Sequence, residues 1–110
     1  MYQITKKRGE QMNAIMIRAK VKEERTAEVD AAIQKVFAAI KDAQPTGVKY
    51  ASCKLDDGVS YLILLKLEGE ANPLVSLPEF TEFQQNLKSF LAEPPTQEKL
   101  QIVGSYHFFE

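Results

Sequence analysis

The chain has 110 residues, of which 45% are hydrophobic and 26% are charged, a composition typical of one folded domain and not of a disordered or fibrous chain. Its 14 basic and 15 acidic side chains leave a formal charge of -1, which provides no positive field for a nucleic-acid partner. The longest apolar run is far shorter than the roughly 20 residues of a membrane-spanning helix, and the single cysteine, Cys53, excludes an intrachain disulfide. We therefore expect a cytoplasmic protein with no nucleic-acid or membrane partner.

Residues 1–13 are interpreted as an N-terminal extension and residues 14–110 as one domain, because the opening residues offer little to bury. Residues 14–22 alternate between apolar and polar, which predicts a strand. A helix capped by Thr26 follows, and it ends at Gln44-Pro45-Thr46-Gly47, where proline and glycine disfavour helix. Its apolar residues recur at helical spacing and are Val29, Ile33, Val36, Phe37 and Ile40.

Two strands are predicted next, over residues 48–55 and 59–68, with a turn at Asp56-Asp57-Gly58. The pattern leaves open a two-residue turn or a three-residue turn with a bulged glycine. Ser76, with Pro78 and Glu79 after it, predicts the start of the second helix, and the last strand is predicted over residues 100–109. This order of elements predicts an α+β, ferredoxin-like βαββαβ fold with a four-stranded antiparallel sheet.

A homodimer is predicted because two helices, each about 10 Å wide, cover only one face of a sheet whose strands lie about 4.8 Å apart. The third strand nevertheless has apolar residues on both faces, with Ile63, Leu65 and Leu67 on one and Leu62 and Leu64 on the other. A strand with one solvated face should alternate more cleanly. We expect a second copy to cover the other face; the alternatives are cover by the N-terminal extension and simple exposure.

Several short features accompany this element order, and they are the loop Asn72-Pro73, the run Pro78-Glu79-Phe80 with Phe83-Gln84, and the closing Val103-Gly104-Ser105-Tyr106. With them the chain resembles, over residues 14–109, the dimeric α/β-barrel proteins of the antibiotic biosynthesis monooxygenase type. The resemblance implies a homodimer in which two sheets face each other and the helices pack outside. Some such proteins oxidise aromatic or quinol-like compounds without metal or flavin, others cleave heme, and many have no known activity. Heme cleavage relies on a tryptophan in the cavity, and this chain has none.

Five residues are candidates for lining a ligand pocket between the helices and the sheet, and they are Arg18, Tyr50, Tyr61, Phe83 and His107. The tyrosine phenols can hold an aromatic ring by edge contacts and one hydrogen bond. Arg18 can orient an anionic or enolate-bearing ligand, and His107 is the only side chain that ordinarily titrates near neutral pH. The competing interpretation is packing for the aromatic residues and an ion pair or solvation for the charged ones. With one histidine and no spaced set of ligands, neither a metal site nor a cofactor is predicted.

The favoured function is that of a small homodimeric protein that binds a small apolar or aromatic molecule without turnover. The alternative is a cofactor-independent monooxygenase acting on a quinol- or polyphenol-like substrate, in which the protein excludes water and stabilises an enolate. A third hypothesis is an interaction module whose second sheet face binds a different protein. Whether the chain is an enzyme stays open, and any activity would be that of a cofactor-free monooxygenase.

Overall fold

A computed structural model describes residues 13–107, in which two helices cover one face of a four-stranded antiparallel sheet. The strands are β1 (Asn13–Lys20), β2 (Val48–Lys54), β3 (Ser60–Leu67) and β4 (Thr96–Leu100). The helices are α1 (Thr26–Ala43) and α2 (Pro78–Phe90), and short 3-10 turns at Glu23–Arg25 and Pro73–Ser76 lead into them. The strand order β2-β3-β1-β4 confirms the α+β, ferredoxin-like fold.

The register of the sheet separates its two faces. Directly opposed residues of antiparallel strands point to the same side, so the row Ile15, Leu65 and Tyr50 faces the helices. The next row has Met16, Leu64 and Ala51 on the other side, and further rows extend that surface. We call it the open face, and its members include Met16, Arg18, Ala51, Leu62, Leu64 and Leu100. The predicted apolar residues on both sides of β3 are therefore confirmed.

Two buried clusters hold the helices on the sheet. The first contains Val21, Val29, Tyr61 and Phe90, and the second contains Val36, Leu65, Leu74 and Phe80. Leu74 is 0% exposed, and the Asn72 side chain accepts a hydrogen bond from its backbone N–H at 3.0 Å. Full burial of such a side chain contributes about 1.5–3 kcal/mol. The Asn72-Pro73 loop thus anchors the approach to α2.

Both predicted helix caps are wrong by one residue, since the caps are Arg25 and Leu77. Thr26 is the first residue of α1 and not its cap, and its hydroxyl donates to the Glu23 carbonyl at 3.2 Å. Ser76 likewise donates to the Pro73 carbonyl at 2.9 Å, and Leu77 is the cap of α2. In each case the hydroxyl that was predicted to cap the helix donates instead to a carbonyl of the 3-10 turn before it.

The turn between β2 and β3 is longer than either predicted option, since it spans residues 56–59. The Leu55 N–H donates to the Ser60 carbonyl at 2.8 Å, and Gly58 has a φ of +78°, which suits glycine. The Asp57 carboxylate accepts from the Ser60 hydroxyl at 2.6 Å and from the Val59 and Ser60 amides at 3.0 and 2.8 Å. These bonds lower the pKa of Asp57, and the bond from the Ser60 hydroxyl has the largest effect. They also hold the turn that sets the register of the two strands.

The last strand is also misplaced in the prediction, which set it at residues 100–109. The structure forms β4 at Thr96–Leu100, where it pairs with Ala14–Arg18, and residues 101–107 are not strand. Gln101, which this register sets opposite Asn13, already lies outside the strand. Residues 108–109 of the predicted strand lie outside the described residues, as does the predicted extension 1–13 except for Asn13.

Candidate functional site

Tyr50 lies at the centre of a group of aromatic rings between the sheet and both helices. Its ring stacks on Phe37 of α1, with centroids 5.2 Å apart and planes at 16°. It meets Phe80 of α2 edge-on at 5.9 Å and 76°, and Phe83 of α2 packs against the same buried cluster. We call Phe37, Tyr50, Phe80 and Phe83 the aromatic cluster. Phe80 is buried, whereas the other three are half-buried and therefore reachable from solvent.

The hydroxyl of Tyr50 is the unusual polar group of this cluster. Burial raises the pKa of Tyr50 to about 12, so the phenol stays protonated at any physiological pH. Within residues 13–107 no protein group forms a hydrogen bond with this hydroxyl. Leaving a desolvated polar group unpaired costs about 1–3 kcal/mol, which is why buried polar groups usually have a partner. An unpaired donor beside aromatic rings is a place for a ligand acceptor or a water molecule.

Tyr61 differs from Tyr50 because its hydroxyl is engaged. It donates to Asp30 Oδ1 at 2.5 Å, and Lys54 Nζ donates to Asp30 Oδ2 at 2.7 Å. The bonds from Lys54 and then Tyr61 lower the pKa of Asp30, while burial, followed by the bond to Asp30, raises the pKa of Tyr61. Tyr61 is only 4% exposed and belongs to the first buried cluster. The hydrogen bond of Tyr61 therefore links β3 to α1.

The five candidate residues occupy three different places. Tyr50 and Phe83 pack against the same cluster, and Tyr61 lies in the neighbouring cluster on the same side of the sheet. Arg18 is exposed on the open face, where it opposes Leu62 of β3, so the sheet separates it from the tyrosines. His107 lies beyond β4 with a φ of 54°, and its ring meets Tyr106 edge-on at 4.3 Å. The geometry thus brings two of the five to one buried cluster.

Sequence reasoning missed four partners of the tyrosines. It assigned Phe37 and Phe80 to the core only. It did not single out Asp30 and Lys54, although both touch Tyr61. A signal for Lys54 was available, since a period of two places it on the same side of β2 as Tyr50. The contact with Asp30 joins residues 24 positions apart, and no local pattern contains it.

The open face contains a small apolar depression near its C-terminal corner. Its volume is about 50 Å³, and its lining includes Ala14, Leu64, Leu100, Ile102, Lys49 and Lys66. A dry apolar cavity that takes a benzene ring measures about 150 Å³. The depression therefore suits one or two methyl groups of a protein side chain better than an aromatic ligand.

Two other kinds of site are not found in the part of the chain that the structure describes. Residues 13–107 contain no group of three His, Cys, Asp or Glu side chains arranged to hold a metal ion. Neither of the helices described has both the length and the apolar composition that crossing a membrane requires.

Comparison with solved structures places this architecture in a known group. A protein from Nitrosomonas europaea, provisionally named an antibiotic biosynthesis monooxygenase, matches with a TM-score of 0.70 and 12% identity over 84% of this chain and 91% of that chain. One from Caulobacter crescentus CB15 with the same provisional name matches with a TM-score of 0.69 and 18% identity over 86% and 92%. SnoaB of Streptomyces nogalater, a cofactor-independent oxygenase studied as a variant, matches with a TM-score of 0.66 and 13% identity over 89% and 99%.

These similarities concern the fold. No model of a protein family matches the sequence, and no curated protein matches it. At identities of 12–18% the superpositions show that the chain has the α+β fold of proteins named antibiotic biosynthesis monooxygenases. The resemblance predicted from sequence is confirmed at that level.

Proposed function

We propose that this chain forms a homodimer that binds a small apolar or aromatic molecule carrying one hydrogen-bond acceptor. The observation that supports the ligand is the Tyr50 hydroxyl, a desolvated donor without a partner among the described residues. A pocket for such a molecule typically combines apolar walls with a few placed polar groups. The aromatic cluster supplies the walls, and Tyr50 supplies the polar group.

The ligand is proposed to lie against Phe37, Tyr50 and Phe83, each of which is half-buried. Aromatic pairs favour edge-to-face or offset contacts, so a ligand ring can pack beside the stack of Phe37 on Tyr50. Because Tyr50 remains protonated up to a pKa of about 12, it donates its hydrogen bond and prefers a carbonyl or ether oxygen. Tyr61 does not take part directly, since its hydroxyl already donates a hydrogen bond to Asp30.

The homodimer is supported by the composition of the open face. Its central rows bring together Met16, Leu62 and Leu64, none of which a helix covers. Apolar patches of this kind mark association surfaces, and a two-fold arrangement lets the same patch cover itself. We propose a cytoplasmic location on the exposed free thiol of Cys53, which fits a reducing compartment.

A matched pair of probes tests the ligand site. 1-Tetralone and tetralin have the same two-ring skeleton, and only the ketone has an acceptor. Measured by ligand-observed NMR, Tyr50→Phe should weaken tetralone binding about tenfold, the equivalent of one hydrogen bond, and leave tetralin binding unchanged. Tyr61→Phe is the control and should alter neither. If both probes lose affinity equally, or if neither binds, Tyr50 is not the polar anchor of a ligand site.

A cofactor-independent monooxygenase is the second candidate, and the observation that favours it is the structural similarity to SnoaB. In this case the aromatic cluster would orient a quinol, and the Tyr50 phenol would stabilise the developing oxyanion. Oxygen consumption with 1,4-dihydroxynaphthalene is the assay, corrected for autoxidation without protein. Oxygen uptake that depends on the folded protein and falls at least tenfold in Tyr50→Phe supports catalysis. Oxygen uptake at the autoxidation rate excludes catalysis with this substrate.

The dimer is tested on the wild-type chain by light scattering across a dilution series. Leu64→Asp places a charge in the centre of the open face and should produce monomers whose circular dichroism matches the wild type. Val75→Asp, on the 62% exposed valine of the turn before α2, is the matched control and should stay dimeric. A wild-type monomer at micromolar concentration contradicts the assembly.

A further inference from the structure

Ser52 provides a second hydroxyl on the same side of β2 as Tyr50. The period of two along a strand places it there, and its register partner Ile63 packs against the first buried cluster. Ser52 is half-buried, and no group among residues 13–107 forms a hydrogen bond with its hydroxyl. Polar groups that are shielded from water usually have a partner, so two neighbouring hydroxyls without one are unusual.

Helix α1 meets β2 on both sides of Ser52. On one side the ring of Phe37 stacks on Tyr50, with centroids 5.2 Å apart. On the other side Lys54 Nζ donates to Asp30 Oδ2 at 2.7 Å. Residues two positions apart in a strand are separated by about 6.6 Å, so Ser52 lies midway along β2 between an aromatic stack and an ion pair.

The side chain of Ser52 is the shortest in its row. The β2 residues on the side of the helices are Val48, Tyr50, Ser52 and Lys54. A short side chain between two long ones leaves a step in the surface of the strand. Among the described strands β2 is the last on its side of the sheet, so no further strand closes this step at the edge. A ligand that packs beside the ring of Tyr50 reaches Ser52 without crossing the sheet.

We propose that Ser52 is a second polar contact of the ligand site and selects ligands that carry a hydroxyl in addition to the acceptor bound by Tyr50. This inference rests on the ligand site of the proposed function. The protonated phenol of Tyr50 donates, whereas a serine hydroxyl both donates and accepts. A ligand hydroxyl has the same two abilities, so it pairs with Ser52 in either direction. The two residues together recognise a hydroxylated aromatic ketone in preference to a plain one.

The two hydroxyls make separable contributions to binding. Tyr50 meets the ketone and affects every ligand that has one, whereas Ser52 meets the added hydroxyl and affects only ligands that carry it. A site that presents a hydrogen-bonding group favours the analogue that satisfies this group over the analogue that does not. The ratio of the two affinities therefore reports on Ser52, and the affinity for the plain ketone reports on Tyr50.

Ligand-observed NMR with 1-tetralone and 6-hydroxy-1-tetralone measures this ratio, and the 5- and 7-hydroxy isomers cover other directions of the same contact. The wild type should bind one of the hydroxylated ketones about fivefold more tightly than 1-tetralone, the equivalent of one hydrogen bond. Ser52→Ala should abolish this preference, whereas Tyr50→Phe should weaken the binding of both ketones and retain it. Ser89→Ala removes a hydroxyl in the last turn of α2 and is the matched control, which should change neither affinity.

Thermal unfolding at one protomer concentration checks that Ser52 acts through the ligand. Because its hydroxyl has no partner among residues 13–107, Ser52→Ala should melt within about 2 °C of the wild type. A larger decrease shows that the serine has a structural partner, and it overturns the inference.

The binding data separate this inference from the proposed function. A preference that persists in Ser52→Ala overturns the role of Ser52, and so does a wild type that prefers none of the three hydroxylated isomers. If 1-tetralone still binds through Tyr50 in either case, the ligand site stands without Ser52. If neither plain nor hydroxylated ketone binds the wild type, both proposals fail.

Discussion

Tyr50 and Tyr61 should respond in opposite directions when each loses its hydroxyl. Tyr50→Phe deletes a desolvated hydroxyl that has no partner among the described residues, whereas Tyr61→Phe deletes a donor that Asp30 accepts at 2.5 Å. The two substitutions remove the same atom from neighbouring strands on the same side of the sheet. The contrast therefore isolates the hydrogen bond from the general effect of a tyrosine-to-phenylalanine change.

The magnitudes follow from the two environments. An unpaired desolvated hydroxyl costs about 1–3 kcal/mol, and the half-buried position of Tyr50 favours the lower end, so Tyr50→Phe should raise the free energy of unfolding by about 1 kcal/mol. A hydrogen bond to a charged group contributes about 1.5–3 kcal/mol, so Tyr61→Phe should lower it by about 1.5 kcal/mol. For a chain of this size the melting temperatures should move by about 4 °C upward and about 6 °C downward.

Urea unfolding followed by circular dichroism measures both changes. All chains should be compared at one protomer concentration, because the stability of a dimer depends on concentration. If Tyr50→Phe destabilises the protein as much as Tyr61→Phe does, the Tyr50 hydroxyl has a partner in the folded state, and the argument for a ligand site fails. An increase in stability together with weaker tetralone binding is the result that the structure predicts.

Three further outcomes follow from the same contacts. The pKa of Tyr50 is raised to about 12 from an ordinary value of 10.0, so between these values the native state keeps a proton that the unfolded chain loses. The contribution of Tyr50 to the free energy of unfolding is therefore fully present below pH 10 and falls as the pH rises toward 12. The free energy of unfolding, measured across that range, should fall less in Tyr50→Phe. The pKa of Asp30 is lowered, so its contribution to the free energy of unfolding is present above the ordinary pKa of 3.8 and is lost as the pH falls below it. In Asp30→Asn the free energy of unfolding should therefore depend less on pH in the acid range. An unchanged pH dependence would contradict the Lys54 contact. Leu74→Ala empties a site that is 0% exposed and should cost about 2–5 kcal/mol in urea unfolding, while Val75→Ala beside it should cost less than about 0.5 kcal/mol.

Local patterns predicted most of the secondary structure because they depend on near neighbours. The period of two in residues 14–22 and 59–68 and the helical spacing from Val29 to Ile40 correspond to β1, β3 and α1. The element order then predicted the fold, since few topologies connect these elements without crossing. The helix caps failed for a local reason, as the 3-10 turns before both helices engage the hydroxyls of Thr26 and Ser76.

The sequence by itself determined the order of the helices and strands, the apolar residues on both sides of β3, and the tyrosines that are candidates for a ligand pocket. Only the tertiary structure decided that the Tyr61 hydroxyl meets Asp30 and that Arg18 lies across the sheet from both tyrosines. It also decided that Tyr50 stacks on Phe37 and that its hydroxyl has no partner among residues 13–107. It also decided that the last strand runs from Thr96 to Leu100 beside β1, and not over residues 100–109. Periodicity records which way a side chain points, whereas hydrogen-bond partners and strand ends depend on what distant segments bring beside it.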